Sequence, residues 1–449
     1  MLVTSFLPQN EAHKVAEPVM APTWLASQAT CFKPPVLPSC RACCAAAATS
    51  DTVSDLFGPV ETETPVIPPL AVHETHPHIL APGELTPGIT AQEYHDRRAR
   101  LIASLPPNSA VLLPSAEIQF KSGAVFHAFR QETAFLYLTG FCEPESLALL
   151  VKTNNDYIFH LWCRPKNPKQ EQWYGPWSGV DAARDVWNAD EAGDIGRIEF
   201  ELGNALKDVS KIYTDAELTK YGVATKLGNT LRSAAPNAGF APLRPALNPL
   251  RAIKSPAEVA CMRRAGQASG RALTNAMRQS WKFEKDLASF LEYEYHKAGL
   301  EGSAYIPVVA GGQKALLIHY VMNNGHLNED EFVLVDAGGE YGTYITDITR
   351  TWPVSGKFSP AQKDLYEAVL SAQRQSIGLC YSRGTTLREG HCITIEPGVY
   401  VPDDDRWPEA FRGMGIRIED SVMVGEEHPY VLTTEAVKEV VDIEALRDR

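Results

Sequence analysis

Residues 331–352 read EFVLVDAGGEYGTYITDITRTW, and the fold turns on how this stretch is understood. The apolar run that ends at Asp336 and the alternating run through Asp347 both have the pattern of β-strands, separated by glycine-containing turns. With a side-chain period of two, Asp347 shares a strand face with Thr349 and Thr351. Two later stretches repeat the feature. CITIEPGVY (392–400) carries Glu396 on one face with Thr394, and MGIRIEDSVMV (414–424) carries Glu419 with Arg417 and Ser421. Four acids therefore sit on polar faces of otherwise apolar strands, where an ionised carboxylate removed from water costs several kcal/mol unless it is compensated.

A single acid of this kind is explained by a solvated strand face. Four are harder to explain that way. If they converge, charges ~5 Å apart at an effective dielectric of ~20 repel by roughly 3 kcal/mol per pair, or about 20 kcal/mol over six pairs. Bound cations remove that repulsion. Hard oxygen ligands with little sulfur favour manganese, magnesium or a similar divalent ion, and four carboxylates suit two adjacent ions better than one. An aspartic-protease dyad or a glycosidase pair needs only two acids, and the DAGG and TDIT turns do not match the protease pattern.

The rest of the composition fits this reading. At 449 residues, 44% hydrophobic and 22% charged, the chain has material for two domains with their own cores. Its net charge of -13 argues against nucleic acid or an anionic membrane as partner and for cations as ligands. No apolar run is long enough for a membrane span. Nine scattered cysteines form no paired framework and point to reduced thiols in an intracellular compartment. The CRACC fragment (40–44) lacks a second ligand pair at zinc spacing, and HETHPH (73–78) reads as solvated histidines on a linker.

Residues 1–88 hold 13 of the 32 prolines and read as a disordered leader that could serve in targeting, although its acids Glu11 and Glu17 are atypical of an import presequence. From 89 to 245 helical and strand patterns alternate, as in EYHDRRARLIASL, SAVLLP, ESLALLVKT and DYIFHLWCR, giving an α/β domain. The proline-rich join at 241–256 then leads into a long amphipathic helix near Pro256. The second domain spans 250–446.

At these residues the sequence resembles aminopeptidase P, the proline-specific metallo-aminopeptidases of the pita-bread fold, and in particular their mitochondrial intermediate-cleaving branch. The likeness covers AFRQETAFLYLTGF (128–141), LRAIKSPAEVACMRRAG (250–266), AYIPVVAGG (304–312) with IHY (318–320), and the stretches around all four acids. It implies an α/β (α+β) chain with an N-terminal aminopeptidase P domain and a C-terminal pita-bread domain. It further implies Asp336 as a terminal ligand of one metal, Asp347 and Glu419 as bridging ligands, and Glu396 as a terminal ligand of the other. His319 would donate to the developing oxyanion, with Tyr400 and Arg417 behind the ligands. The implied chemistry is attack by a metal-activated hydroxide on an Xaa-Pro or similar N-terminal peptide bond, with two divalent ions, manganese foremost. Implied partners are peptide or protein N-termini, with a homo-oligomer left open. The implied location is mitochondrial, with the cytoplasm as alternative.

The family's fifth ligand, a histidine carried between the second Asp and the first Glu, has no counterpart. The chain passes through SRGTTL (382–387) directly into REGHCITIEPG (388–398), which reads as an internal deletion near 387–390 of several tens of residues. His391, five residues before Glu396, falls on the opposite strand face. The deletion is expected to leave one half of the pita-bread incomplete, with apolar faces uncovered and a strand edge unpaired. One metal site should be weakened and turnover impaired. A non-catalytic binding module or an inactive shortened isoform is the alternative. Lys314, where the family has asparagine, should weaken the metal site further.

Overall fold

The computed structural model describes residues 71–447 except 124, 155, 217–222 and 385. The CRACC fragment and the leader up to residue 70 lie outside the described residues.

The N-terminal part is built on a six-stranded sheet in the order Gly239–Ala241, Lys211–Tyr213, Ser109–Pro114, Leu147–Lys152, Tyr157–Cys163, Glu191–Asp194. The two central pairings, between 109–114, 147–152 and 157–163, are antiparallel, and the outer ones are parallel. Both faces are covered, which is why SAVLLP and LALLV read as unbroken apolar runs. Val111, Leu113, Ala148 and Leu150 enter the core on one face, while Ala110, Leu112, Leu147 and Leu149 enter the core on the other.

The leader reading needs a correction. Residues 71–88 are folded, because the segment carries apolar side chains that hold it: Val72 and Leu80 are buried. Glu84–Thr86 pairs with Ile89–Thr90, and Ile89 packs with Tyr94 and Cys261 of the second domain. Glycine is required at position 88, where φ is +81° and a Cβ would meet the Cys261 sulfur at 2.5 Å.

The second part opens with the helix Pro256–Met277, whose start is fixed by Pro256 and by a capping box in which Ser255 and Glu258 exchange hydrogen bonds. With the helix Glu284–Lys297 it covers two antiparallel three-stranded sheets. One is Val308–Gly311, Phe332–Asp336 and Thr349–Pro353; the other is Gly302–Ser303, Gly339–Tyr341 and Tyr344–Ile345. The following half has one long helix, Pro360–Ile377, beside Cys392–Ile395, Asp420–Met423 and Tyr430–Val431, with Gly398–Tyr400 paired to Gly415–Arg417.

The two halves are unequally covered. Residues 308–311 and 332–335 are buried throughout, whereas every residue of Cys392–Ile395 is half-buried and Gly398 and Val399 are exposed. Cys392–Ile395 also lies at the edge of its sheet. Among the described residues no helix is long and apolar enough to cross a membrane.

Candidate metal centre

Strand register carries the acids to one place. Asp336 ends its strand opposite Thr349, the first residue of the neighbouring strand, so Asp347 arrives two residues before that pairing. Glu419 lies in the two-residue link between Gly415–Arg417 and Asp420–Met423, and its backbone N–H donates to Thr349 O at 3.0 Å. Glu396 occupies the matching link on the adjacent ribbon, since Ile395 pairs with Asp420 and Gly398 with Arg417.

Carboxylate oxygens of Asp336, Asp347 and Glu419 lie within 4.8 Å of one another. Glu396 and His319 are outside that group. Glu396 is exposed, with Oε1 accepting from the Thr394 hydroxyl at 2.9 Å, yet its charge still acts to raise the pKa of both Asp347 and Glu419. His319 is exposed on the loop that follows residues 312–316. His391 is half-buried, forms an isolated bridge with Ile253, and its Nδ1 accepts from Arg388 N–H; it does not join the acids.

Burial and mutual repulsion set the electrostatics of the three acids. Burial, then Asp347 and Asp336, push Glu419 up to about 9, against the opposing hydrogen bond from the Thr349 hydroxyl at 2.6 Å. Asp347 is raised for the same first reason, burial. Tyr305 Oη stands 2.6 Å from Asp336 Oδ1 and 2.7 Å from Asp347 Oδ1. A phenol has one proton, so the Tyr305 hydroxyl donates to one of the two carboxylates at a time.

Arg417 supplies the cation already present. Its guanidinium donates to Asp336 Oδ2 at 2.5 Å, to Tyr400 Oη at 2.8 Å and to Thr349 Oγ1 at 3.0 Å. Burial alone would lower its pKa, but Asp336, Tyr400 and Glu419 outweigh that effect and keep it charged. Behind the site, Asp420 faces the other way. It accepts from Arg350, Thr433, Lys438 and Gln373 at 2.6–2.7 Å, while Arg350 also donates to the backbone oxygens of Glu419, Thr349, Ala436 and Val437. This buried network ties the Glu419 link to the strand after Asp347.

The donor set suits a divalent cation: three clustered oxygen ligands, one of which, Glu419, is pushed up to about 9 by burial and its acidic neighbours. Two features escaped the sequence reading. Tyr305 lies in AYIPVVAGG but has no pattern of its own to mark it. Lys314 is not a free charge near the site, because its ammonium lies 3.0 Å from the buried Glu284 carboxylate.

Comparison with known proteins bears on these observations. Residues 94–213 match the Aminopeptidase P, N-terminal domain, and residues 260–386 and 380–426 match Metallopeptidase family M24. Intermediate cleaving peptidase 55 of Saccharomyces cerevisiae is 38% identical over 458 aligned positions, covering 86% of this chain and 88% of that protein. Xaa-Pro aminopeptidase 3 of Homo sapiens is 32% identical, covering 83% and 89%. The crystal structure of Icp55 from Saccharomyces cerevisiae superposes with a TM-score of 0.75 at 37% identity, covering 81% of this chain and 99% of that one. The 458 aligned positions exceed the part of this chain they engage, so the yeast peptidase carries residues without a counterpart here. The two M24 matches meet at 380–386.

Proposed function

The chain belongs to metallopeptidase family M24, with an aminopeptidase P N-terminal domain ahead of the catalytic fold, and on that basis we propose that it removes N-terminal residues at Xaa-Pro-type bonds of peptides and imported mitochondrial proteins, in a form impaired at one of two metal positions. The observation that carries the reading is the convergence of Asp336, Asp347 and Glu419, whose carboxylate oxygens lie within 4.8 Å of one another. Divalent ions, manganese foremost, would be held by these three acids and, at the second position, by Glu396; when bound they supply Lewis acidity and a water of lowered pKa.

The remaining steps belong to the side chains. Arg417 fixes Asp336, the Thr349 hydroxyl fixes Glu419, and Tyr305 spans the two aspartates, so the ligand oxygens are aimed before any ion arrives. A carboxylate of the group takes the proton of the attacking water, and His319 donates to the oxyanion. Leu317, Ile318, Val321 and Met322, all exposed around His319, offer apolar surface to the residues flanking the cleaved bond. Among the described residues no histidine joins Glu396, which supports a weak second position and slow turnover.

Metal content after dialysis and release of the first residue from an Xaa-Pro peptide test this together. The expected outcome is one tightly held ion per chain and turnover about 100-fold below that of the yeast relative. Two tightly held ions with full turnover would contradict it. The exposure of Glu396 outside the three-acid group favours one second reading, a peptide-binding module without catalysis; saturable binding of the same peptide without any product would establish it.

A further inference from the structure

Glu284 is an acid that the chemistry above leaves unused, and it is fully buried at the first residue of the helix Glu284–Lys297. Such a carboxylate needs partners. All of its partners come from one loop. Oε1 accepts from Gly311 N–H and from Lys314 Nζ, both at 3.0 Å; Oε2 accepts from Gly325 N–H at 2.7 Å and from Tyr320 Oη at 2.9 Å. Its own N–H donates to Gly325 O at 3.1 Å. Burial works to raise its pKa, but the hydrogen bonds, with those of Gly311 and Lys314 foremost, hold the carboxyl below its ordinary value.

The two glycines are fitted to this carboxylate. A Cβ at Gly325 would collide with Lys314 Nζ and stand 3.0 Å from both Glu284 oxygens, and one at Gly311 would meet Leu327 at 2.7 Å. The loop between them is also held by Gln313, which donates to Asp403 at 3.2 Å, and by Tyr320 packing against Val308, Ala310 and Leu334. Asn323 bonds Val309 N–H and Pro307 O, and Ala315 is buried, but Leu317, Ile318, His319, Val321 and Met322 are all exposed.

We infer that Glu284 is the positioning residue of the His319 loop, a single buried carboxylate that closes both ends of residues 311–325 and so sets where His319 is held. The inference rests on the reading of His319 as oxyanion donor. It also explains Lys314: the loop brings its own cation to the carboxylate, so the charge is engaged inside the anchor.

Glu284→Gln tests it. All the loop partners apart from the Tyr320 hydroxyl are donors only, so the carboxamide nitrogen has no acceptor for most of them and at least one glycine N–H is left unpaired. Hydrogen exchange on the metal-free protein should show residues 312–326 opening about tenfold faster, as for the loss of one such bond, with the helices 256–277 and 360–377 unchanged. Residual turnover of the metal-loaded protein should fall in kcat with KM little altered, and should fall no further when Glu284→Gln is added to His319→Ala. Unchanged exchange in the loop would overturn the anchor. Additive losses in the double variant would overturn positioning through His319. Faster loop exchange together with full activity of His319→Ala would refute the reading of His319, and with it the proposal, while leaving the anchor measured.

Discussion

Replacing Glu419 by glutamine should stabilise the metal-free protein at neutral pH. The Glu419 carboxyl is raised from an ordinary 4.5 to about 9 by burial and by Asp347 and Asp336. For an acid raised in the folded state, the unfolded chain releases its proton first as pH increases. Stability is therefore whole below about 4.5 and is lost at close to 1.4 kcal/mol per pH unit until about 9. At pH 7 that amounts to about 3 kcal/mol, and Asp347, raised in the same direction, adds to it. Glutamine carries no proton to lose and still accepts from the Thr349 hydroxyl. The assay is urea denaturation in excess chelator from pH 5 to 8, followed by intrinsic fluorescence, with Trp352 in the core of the second domain as a reporter. The two proteins should be nearly equal at pH 5 and separate by about 3 kcal/mol at pH 7, the variant being more stable. With manganese added, the wild type alone should recover. A gap that does not change with pH, or a variant less stable throughout, would refute the reasoning.

Asp420→Ala leaves Arg350 and Lys438 without their buried counter-charge and should destabilise the second domain by about 3–5 kcal/mol, read from the same urea midpoints. Tyr305→Phe removes the hydroxyl that spans Asp336 and Asp347 and should weaken divalent binding about tenfold by calorimetry, with little change in thermal midpoint. Lys314→Asn removes a cation already matched by Glu284 and should alter divalent affinity by less than about twofold; a large gain would mean that the ammonium acts on the metal site after all.

How far the site was legible depends on what each residue leaves in a linear pattern. Asp347, Glu419 and their same-face neighbours Thr349, Arg417 and Ser421 follow from strand alternation, and their contacts run through those neighbours: Thr349 to Glu419, and Ser421 to the Asp347 backbone. Glu396 follows the same rule with Thr394, but alternation fixes a face and not a distance, so its place outside the three-acid group could not be read. Tyr305 and Glu284 were invisible for another reason. Each acts on residues 27 to 42 positions away, and a tyrosine after a turn or an acid at a helix start is ordinary in isolation. The N-terminal sheet was legible because strands covered on both faces read as continuous apolar runs. The leader was misjudged at its end because proline content hid two buried side chains, Val72 and Leu80, and the strand Glu84–Thr86, which pairs with Ile89–Thr90.

The most direct measurement is a calorimetric titration of manganese into the chelator-stripped chain at pH 6, 7 and 8, in two buffers of different ionisation heat. Cation binding should be saturable, should release close to one proton and should tighten about tenfold per pH unit over that range, because the ion displaces the proton from Glu419. Glu419→Gln should abolish both the binding and the release. Binding without proton release, or affinity that ignores the loss of Glu419, would contradict the claim that these acids gather around a divalent ion.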